Sequence, residues 1–209
     1  MATAAKKIRM ACEHCQREGH PSFNCPMRPR ETGEDLCKLT IGLNRYLVGS
    51  KFRDDTYIHI REYIQTDDGK DIPSKKGIAL TPGRWKLLTM YTEQIDEAMQ
   101  SFLDDRPTAL SLHLGGNVYL TLKTGYPCVD IRQFYMAEGE TEIRATKRGI
   151  ALKFAEYEKL KTCIEDLKTY IPELEDVIPC CFSSYHSNQL TWYACPECCP
   201  NQMGQDSPY

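Results

Sequence analysis

KKGIAL at residues 75–80 returns as KRGIAL at residues 147–152. Upstream of the first copy, IGLNRYLVGS (41–50) and TYIHIREYI (56–64) alternate apolar and polar residues and are rich in β-branched and aromatic side chains, as half-buried strands are. TDDG at 66–69 reads as a turn. Downstream, Thr81 and Pro82 supply an N-cap and a first-turn proline, and Trp85, Leu88, Tyr91, Ile95, Ala98, Met99 and Phe102 recur at helical spacing. The second copy repeats the order: LGGNVYLTL (114–122), CVDIRQFYM (128–136), a turn at AEGE (137–140), KRGIAL, then Tyr157, Leu160, Cys163, Ile164, Leu167 and Ile171 along a second helix. Trp85 and Tyr157 fall on the core faces of these helices. Lys76 and Arg148 lie 72 positions apart, too long a period for a solenoid and suited to a small domain. The expected fold class is α+β, with two tandem units of antiparallel sheet followed by a helix.

In 209 residues, 26 Lys and Arg against 29 Asp and Glu give a net charge of -3, so any affinity for nucleic acid must rest on local patches. MATAAKKIRM lacks the apolar core of a secretory signal, and no stretch approaches the roughly 20 apolar residues that span a membrane. The expectation is a soluble, intracellular protein without a membrane partner. The 11 cysteines cluster, with Cys12, Cys15 and Cys25 near one end and Cys180, Cys181, Cys195, Cys198 and Cys199 near the other. Inside a cell, CxxC spacing favours zinc over disulfides.

CEHCQREGHPSFNC places Cys12, Cys15, His20 and Cys25 in the order C-x2-C-x4-H-x4-C. Three thiolates and an imidazole at this reach can close a tetrahedral zinc site in a segment too small to bury a core. The spacing resembles the zinc knuckles of retroviral nucleocapsids and cellular RNA-binding proteins. Glu13 and Pro21 stand where such knuckles carry apolar or aromatic residues, leaving Arg9, Arg17, Arg28 and Arg30 for phosphate contact or the knuckle for protein docking. In the tail, Cys195 and Cys198 form a half-site that Cys180 or Cys181, with His186, would complete, Cys199 being an alternative to Cys198. Trp192 and Tyr193 are expected to plug a zinc ribbon-like hairpin.

IGLNRY, HIREY, SKKGIALTPGRW and the following helix resemble the C-terminal domain of the transcriptional coactivator positive cofactor four, a family that binds single-stranded DNA. The first copy follows the pattern from Ile41 to Leu88. The second is recognisable through DIRQFY and TKRGIAL, with a hairpin two residues shorter. The resemblance implies a four-stranded sheet and a helix in each copy. Because family members pair through their helices as homodimers, two copies in one chain imply an intramolecular pseudo-dimer. It also implies phosphate contacts at Arg45, Arg53, Arg61, Lys75 and Lys76 and base stacking on Phe52. In the second copy it implies contacts at Arg132, Lys147 and Arg148, with Tyr135 at the position of the family's strand tryptophan. Departures are Leu43, Ser50 and Asp55 at basic positions, Ile64 at the tryptophan and Val118 at the arginine matched by Arg45.

The implied organisation is a knuckle and basic linker at 1–35, units at 36–106 and 107–176, and a cysteine-rich tail at 177–209. The implied function is binding of melted, single-stranded DNA in transcription, replication or repair, in the nucleus by family and otherwise in the cytoplasm. RNA, transcription or replication proteins and further self-association remain open as partners. The alternative is a zinc-containing protein-interaction adaptor with a degenerate DNA surface. No carboxylate pair or nucleophile motif stands out, and His59, His113 and His186 are isolated, so an enzyme is not expected.

Overall fold

In the computed structural model, residues 33–66, 69–137, 139–186 and 188–201 are described, and Cys12, Cys15, His20 and Cys25 lie outside them. The alternating segments form two antiparallel meanders whose strands pair in chain order. The first contains β1 (Glu34–Gly42), β2 (Arg45–Phe52), β3 (Asp55–Gln65) and β4 (Asp71–Leu80). The second contains β5 (Ala109–Gly115), β6 (Val118–Lys123), β7 (Tyr126–Met136) and β8 (Ile143–Lys153). Every second residue turns inward. Leu47, Ile58, Ile60, Ile78 and Leu80 are buried in one sheet, and Leu120, Leu122, Val129, Ile131, Ile150 and Leu152 in the other.

The stretch 41–50, expected as one strand, contains a two-residue turn at Leu43–Asn44, and 114–122 contains one at Gly116–Asn117. Asn44 at φ 54° and Gly116 at φ 55° adopt the left-handed conformation that Asn and Gly tolerate best. These turns separate β1 and β5 from the strands recognised in the sequence, completing four strands per sheet.

The helical segment after the first sheet divides at Tyr91 into α1 (Pro82–Met90) and α2 (Thr92–Leu103). Thr81 caps α1 through a bond from Arg84 N, as its position ahead of Pro82 predicts. At the break, Thr89 Oγ1 donates to Lys86 O and Thr92 Oγ1 to Thr89 O, side-chain bonds that compete with the regular ladder and bend helices. The second unit has one continuous helix, α3 (Phe154–Tyr170).

The helices lie between the sheets and are shared by them: α3 packs chiefly on β1 and also on β2, β7 and β8, α1 packs on β5 as well as on β3 and β4, and α2 packs on β5 and β6. Trp85 and Tyr157 are both buried in the single resulting core. Phe102 meets Phe154 edge to face at 5.4 Å, and Lys161 donates to both carboxylate oxygens of Asp96 at 2.7 and 2.8 Å. A side chain at Gly49 would collide with Ile171, so that glycine opens a seat for the residue that ends α3. The two repeats therefore form an intramolecular pseudo-dimer within the compact unit Glu34–Tyr209.

The tail departs from the expected hairpin. It forms a 3-10 turn at Cys180–Phe182 and a short helix, α4 (Gln189–Tyr193), capped by Asn188, whose Oδ1 accepts from Thr191 N at 2.9 Å. Trp192 and Tyr193 are 39% and 46% exposed, so they do not act as a core plug. Among the described residues no helix is long and apolar enough to cross a membrane.

Candidate functional site

Facing away from each core is a row of cross-strand partners. In the first sheet Thr40, Tyr46, Arg61 and Gly77 stand opposite one another across β1 to β4, with Lys38, Val48, His59 and Ala79 in the next row. The matching rows of the second sheet are His113, Tyr119, Arg132 and Gly149, then Ser111, Thr121, Asp130 and Ala151. The repeated glycine now has a physical reason. A Cβ at Gly77 would stand 2.8 Å from Arg61 Cβ and Cγ, and one at Gly149 would stand 2.8 Å from the same atoms of Arg132. Each glycine leaves room for an arginine stem to cross the sheet. The preceding basic pair is also set alike: Ser74 Oγ accepts from Lys76 N, and Thr146 Oγ1 from Arg148 N, each at 3.1 Å.

The two arginines differ in their surroundings. Arg61 Nε is buried and has no hydrogen-bond partner among the described residues. Its neighbour two positions back is His59, whose Nε2 lies 2.9 Å from Ser50 Oγ and whose buried Nδ1 has no partner among the described residues. Burial, aided by the Arg61 charge, holds the imidazole down to about 4, so it is neutral at pH 7. In the second sheet the equivalent neighbour is Asp130. Arg132 Nε and Nη2 donate to its two carboxylate oxygens at 2.8 and 2.9 Å, and Nη1 donates to Thr146 O at 2.9 Å.

The other expected nucleic-acid residues occupy varied settings. Arg53, at φ 56° in the β2–β3 hairpin, lies over the Phe52 ring at 5.3 Å. Lys75, Lys76, Lys147 and Arg148 are exposed, with Lys76 Nζ 3.1 Å from Glu62 Oε1, and Tyr135 is exposed on β7. Arg45 points across the seam between the repeats, donating to Glu156 Oε2 and to Ala151 O, both at 2.7 Å. Sequence reading did not single out Lys38, whose ammonium sits 4.1 Å from the centres of both Tyr46 and Tyr63, with Asp71 at 3.2 Å. Two-residue alternation along β1 was the available signal, since Lys38 and Thr40 share one face.

In the tail, the ligand atoms of Cys180, His186, Cys195 and Cys198 all lie within 4.8 Å of one another, a cluster that could hold a metal ion. Cys180 Sγ is 3.6 Å from Cys195 Sγ and 4.0 Å from His186 Nε2. A tetrahedron with metal–sulfur arms of about 2.3 Å has sulfur–sulfur edges of about 3.8 Å, so the spacing fits. The contact between His186 Nδ1 and Cys180 O leaves Nε2 facing the sulfurs, the orientation that a metal-binding imidazole needs. Burial pushes the Cys195 thiol up, but the backbone N–H groups of Cys198 and Glu197 and the side chains of His186 and Cys180 outweigh it and bring it to about 7. Cys199, an alternative ligand in the sequence, is buried outside the cluster.

Between two of these cysteines, Glu197 ties the tail to both repeats. Its carboxylate accepts from Arg84 Nε and Nη2 of α1 at 2.6 Å each, and its carbonyl accepts from Gly116 N of the β5–β6 turn at 2.6 Å.

A family model described as Transcriptional Coactivator p15 (PC4) matches residues 39–90 and again 114–163. The RNA polymerase II transcriptional coactivator KIWI of Arabidopsis thaliana is 31% identical over 74 residues, covering 35% of this chain and 68% of that protein. The chain belongs to the PC4 transcriptional coactivator family. A putative RNA polymerase II transcriptional coactivator of Caenorhabditis elegans is 43% identical over 58 residues, covering 27% of this chain and 47% of that protein. The match thus spans less than half of one PC4 relative and about two thirds of the other. The PC4 match falls on both units, and each contains an arginine crossing a glycine.

Proposed function

We propose that the chain binds single-stranded nucleic acid, with DNA as the favoured ligand, and acts as a nuclear transcriptional coactivator on melted template. Arg61 carries the reading: a cation held across a sheet by the glycine that makes room for it, with its Nε lacking an acceptor among the described residues. Nε itself is buried, so phosphate oxygens would be met by the rest of the guanidinium of this half-buried side chain. Lys75, Lys76, Lys147, Arg148 and Arg53 add cations at the sheet margins, and Phe52 and Tyr135 offer faces for bases. The family membership supports the same reading. In this proposal zinc occupies the Cys180, His186, Cys195 and Cys198 cluster as a closed structural ion, and a second zinc occupies the knuckle of Cys12, Cys15, His20 and Cys25. The sheets of the units at 36–106 and 107–176 are the candidate nucleic-acid faces, while the flanking zinc segments serve contacts with transcription proteins.

A specific observation favours protein contact for the tail. Residues 177–209 contain no Lys or Arg, while Phe182, Tyr185, Leu190 and Tyr193 are exposed there, a composition that suits an apolar protein surface better than phosphates.

The test is titration of fluorescent single-stranded and double-stranded oligonucleotides at several salt concentrations, using the full chain and a Phe52→Ala, Arg61→Ala, Arg132→Ala variant. The expected result is single-strand preference, with log K falling by about 0.7 per phosphate contact for each unit of log salt, and a shallower slope in the variant. Equal binding by the folded variant would remove the sheets from the proposal.

A further inference from the structure

We infer that Asp130 closes the second sheet, so that the chain holds one strand of nucleic acid, on the first sheet, rather than one on each. The inference rests on the proposed reading of the sheets as the binding faces, and it concerns which of them is open.

The two faces can be compared position by position. Arg61 and Arg132 hold the same place: both lie opposite a β-strand tyrosine, Tyr46 or Tyr119, and both cross the glycine of the repeated phrase. Two residues earlier on the same face, the first repeat has His59 and the second has Asp130. Across the sheet from those residues, the first repeat has Lys38 and the second has Ser111. The first face therefore presents an arginine without a carboxylate beside it among the described residues, a neutral imidazole, and a lysine whose ammonium is paired with Asp71 at 3.2 Å. The second presents one arginine paired with a carboxylate.

The geometry of that pair is the geometry of phosphate recognition. Two nitrogens of one guanidinium meet two oxygens of one anion at 2.8 and 2.9 Å, and the remaining Nη1 is held by Thr146 O. A bidentate Arg–carboxylate pair offers the same planar fork that Arg offers to a phosphate, so Asp130 occupies the place a backbone phosphate would take. An entering phosphate must either displace a tethered anion or approach it, and both oppose binding by charge repulsion in a half-buried site. Arg61 faces no such competitor, since its Nε has no acceptor among the described residues.

The experiment uses the full chain, an oligonucleotide of about eight nucleotides and a measurement of both affinity and stoichiometry by isothermal titration calorimetry. The wild type should bind one oligonucleotide per chain. Arg61→Ala should weaken binding by about 10-fold and Arg132→Ala by less than about 3-fold. Asp130→Asn removes the charge at constant shape, and Asp130→His reproduces the first repeat. Either should admit a second oligonucleotide, and thermal melts identify which variant retains the fold. Two oligonucleotides on the wild type, equal losses for Arg61→Ala and Arg132→Ala, or a stoichiometry of one in both folded Asp130 variants would overturn the inference while leaving single-strand binding intact. Absence of binding by the wild type and by the Asp130 variants alike would overturn the proposed function and this inference together.

Discussion

Arg61 crosses β4 at Gly77, its Cβ and Cγ each 2.8 Å from the point where a side chain on that glycine would begin. Ile60 O is equally close, so a methyl group there has to displace backbone as well as side chain. Gly77→Ala is expected to destabilise the protein by about 1–3 kcal/mol, in the range of overpacked core sites. Gly149→Ala, facing Ile131 O at 2.7 Å and Arg132, should lose a similar amount. Denaturant melts measure both. Single-strand affinity should fall further in Gly77→Ala than in Gly149→Ala, because only the former displaces Arg61.

The Arg45–Glu156 pair joins the first repeat to the helix of the second, with side chains 22% and 15% exposed. Arg45→Ala removes a charged hydrogen bond to Glu156 and another to Ala151 O, and should lower stability by about 1–3 kcal/mol. Glu156→Ala should lower it more, since Glu156 Oε2 also accepts from Lys153 N at the start of α3, a cap worth about 1 kcal/mol. A double-mutant cycle by chemical denaturation separates the pair from the cap.

His59 gives stability a defined acid dependence. Its folded value near 4 lies below the ordinary 6.5, so between those values the unfolded chain binds the proton and the folded chain does not. Stability contributed by this site is present above about pH 6.5 and is lost as pH falls towards 4. His59→Gln should flatten that part of the profile. Thermal melts at pH 7.5 and pH 5.0 provide the comparison, the wild type losing more than the variant.

With zinc in the Cys180, His186, Cys195 and Cys198 cluster, as proposed, its removal should loosen the strap formed by Glu197. With a strong chelator, limited proteolysis is expected to cut within residues 177–201 sooner than in the metal-loaded protein, while the sheets remain protected. Glu197→Ala should expose the same region with the cluster still filled, because Arg84 loses both carboxylate acceptors and only the backbone bond from Gly116 N to the carbonyl of residue 197 is left. Mass spectrometry under native conditions reads the metal content of both.

The repeated phrase made the architecture legible because it joins a strand end to a helix start twice, and Thr81 ahead of Pro82 marked the start of α1 correctly. Its period could not show β1 and β5, since turns of two residues at Leu43–Asn44 and Gly116–Asn117 barely interrupt the alternation on either side. The break at Tyr91 was hidden because Leu88, Tyr91 and Ile95 keep helical spacing through it. In the tail, ligand types and CxxC spacing pointed to Cys180, His186, Cys195 and Cys198 but left Cys181 and Cys199 open, since a choice between adjacent cysteines depends on which side chain the backbone turns inward. Arg45 illustrates a different limit. Its resemblance to phosphate-contacting residues says nothing of Glu156, 111 positions later in the chain, which takes its guanidinium.

Sharing of helices between the two sheets of one polypeptide also changes how the protein can evolve. Where two identical chains pair, every substitution appears twice, and a carboxylate introduced beside the arginine of one sheet is introduced beside the other. Covalent fusion lifts that constraint. The residue after Val129 can differ from the residue after Ile58 while both halves continue to complete each other's core, so one half is free to specialise under the protection of its twin.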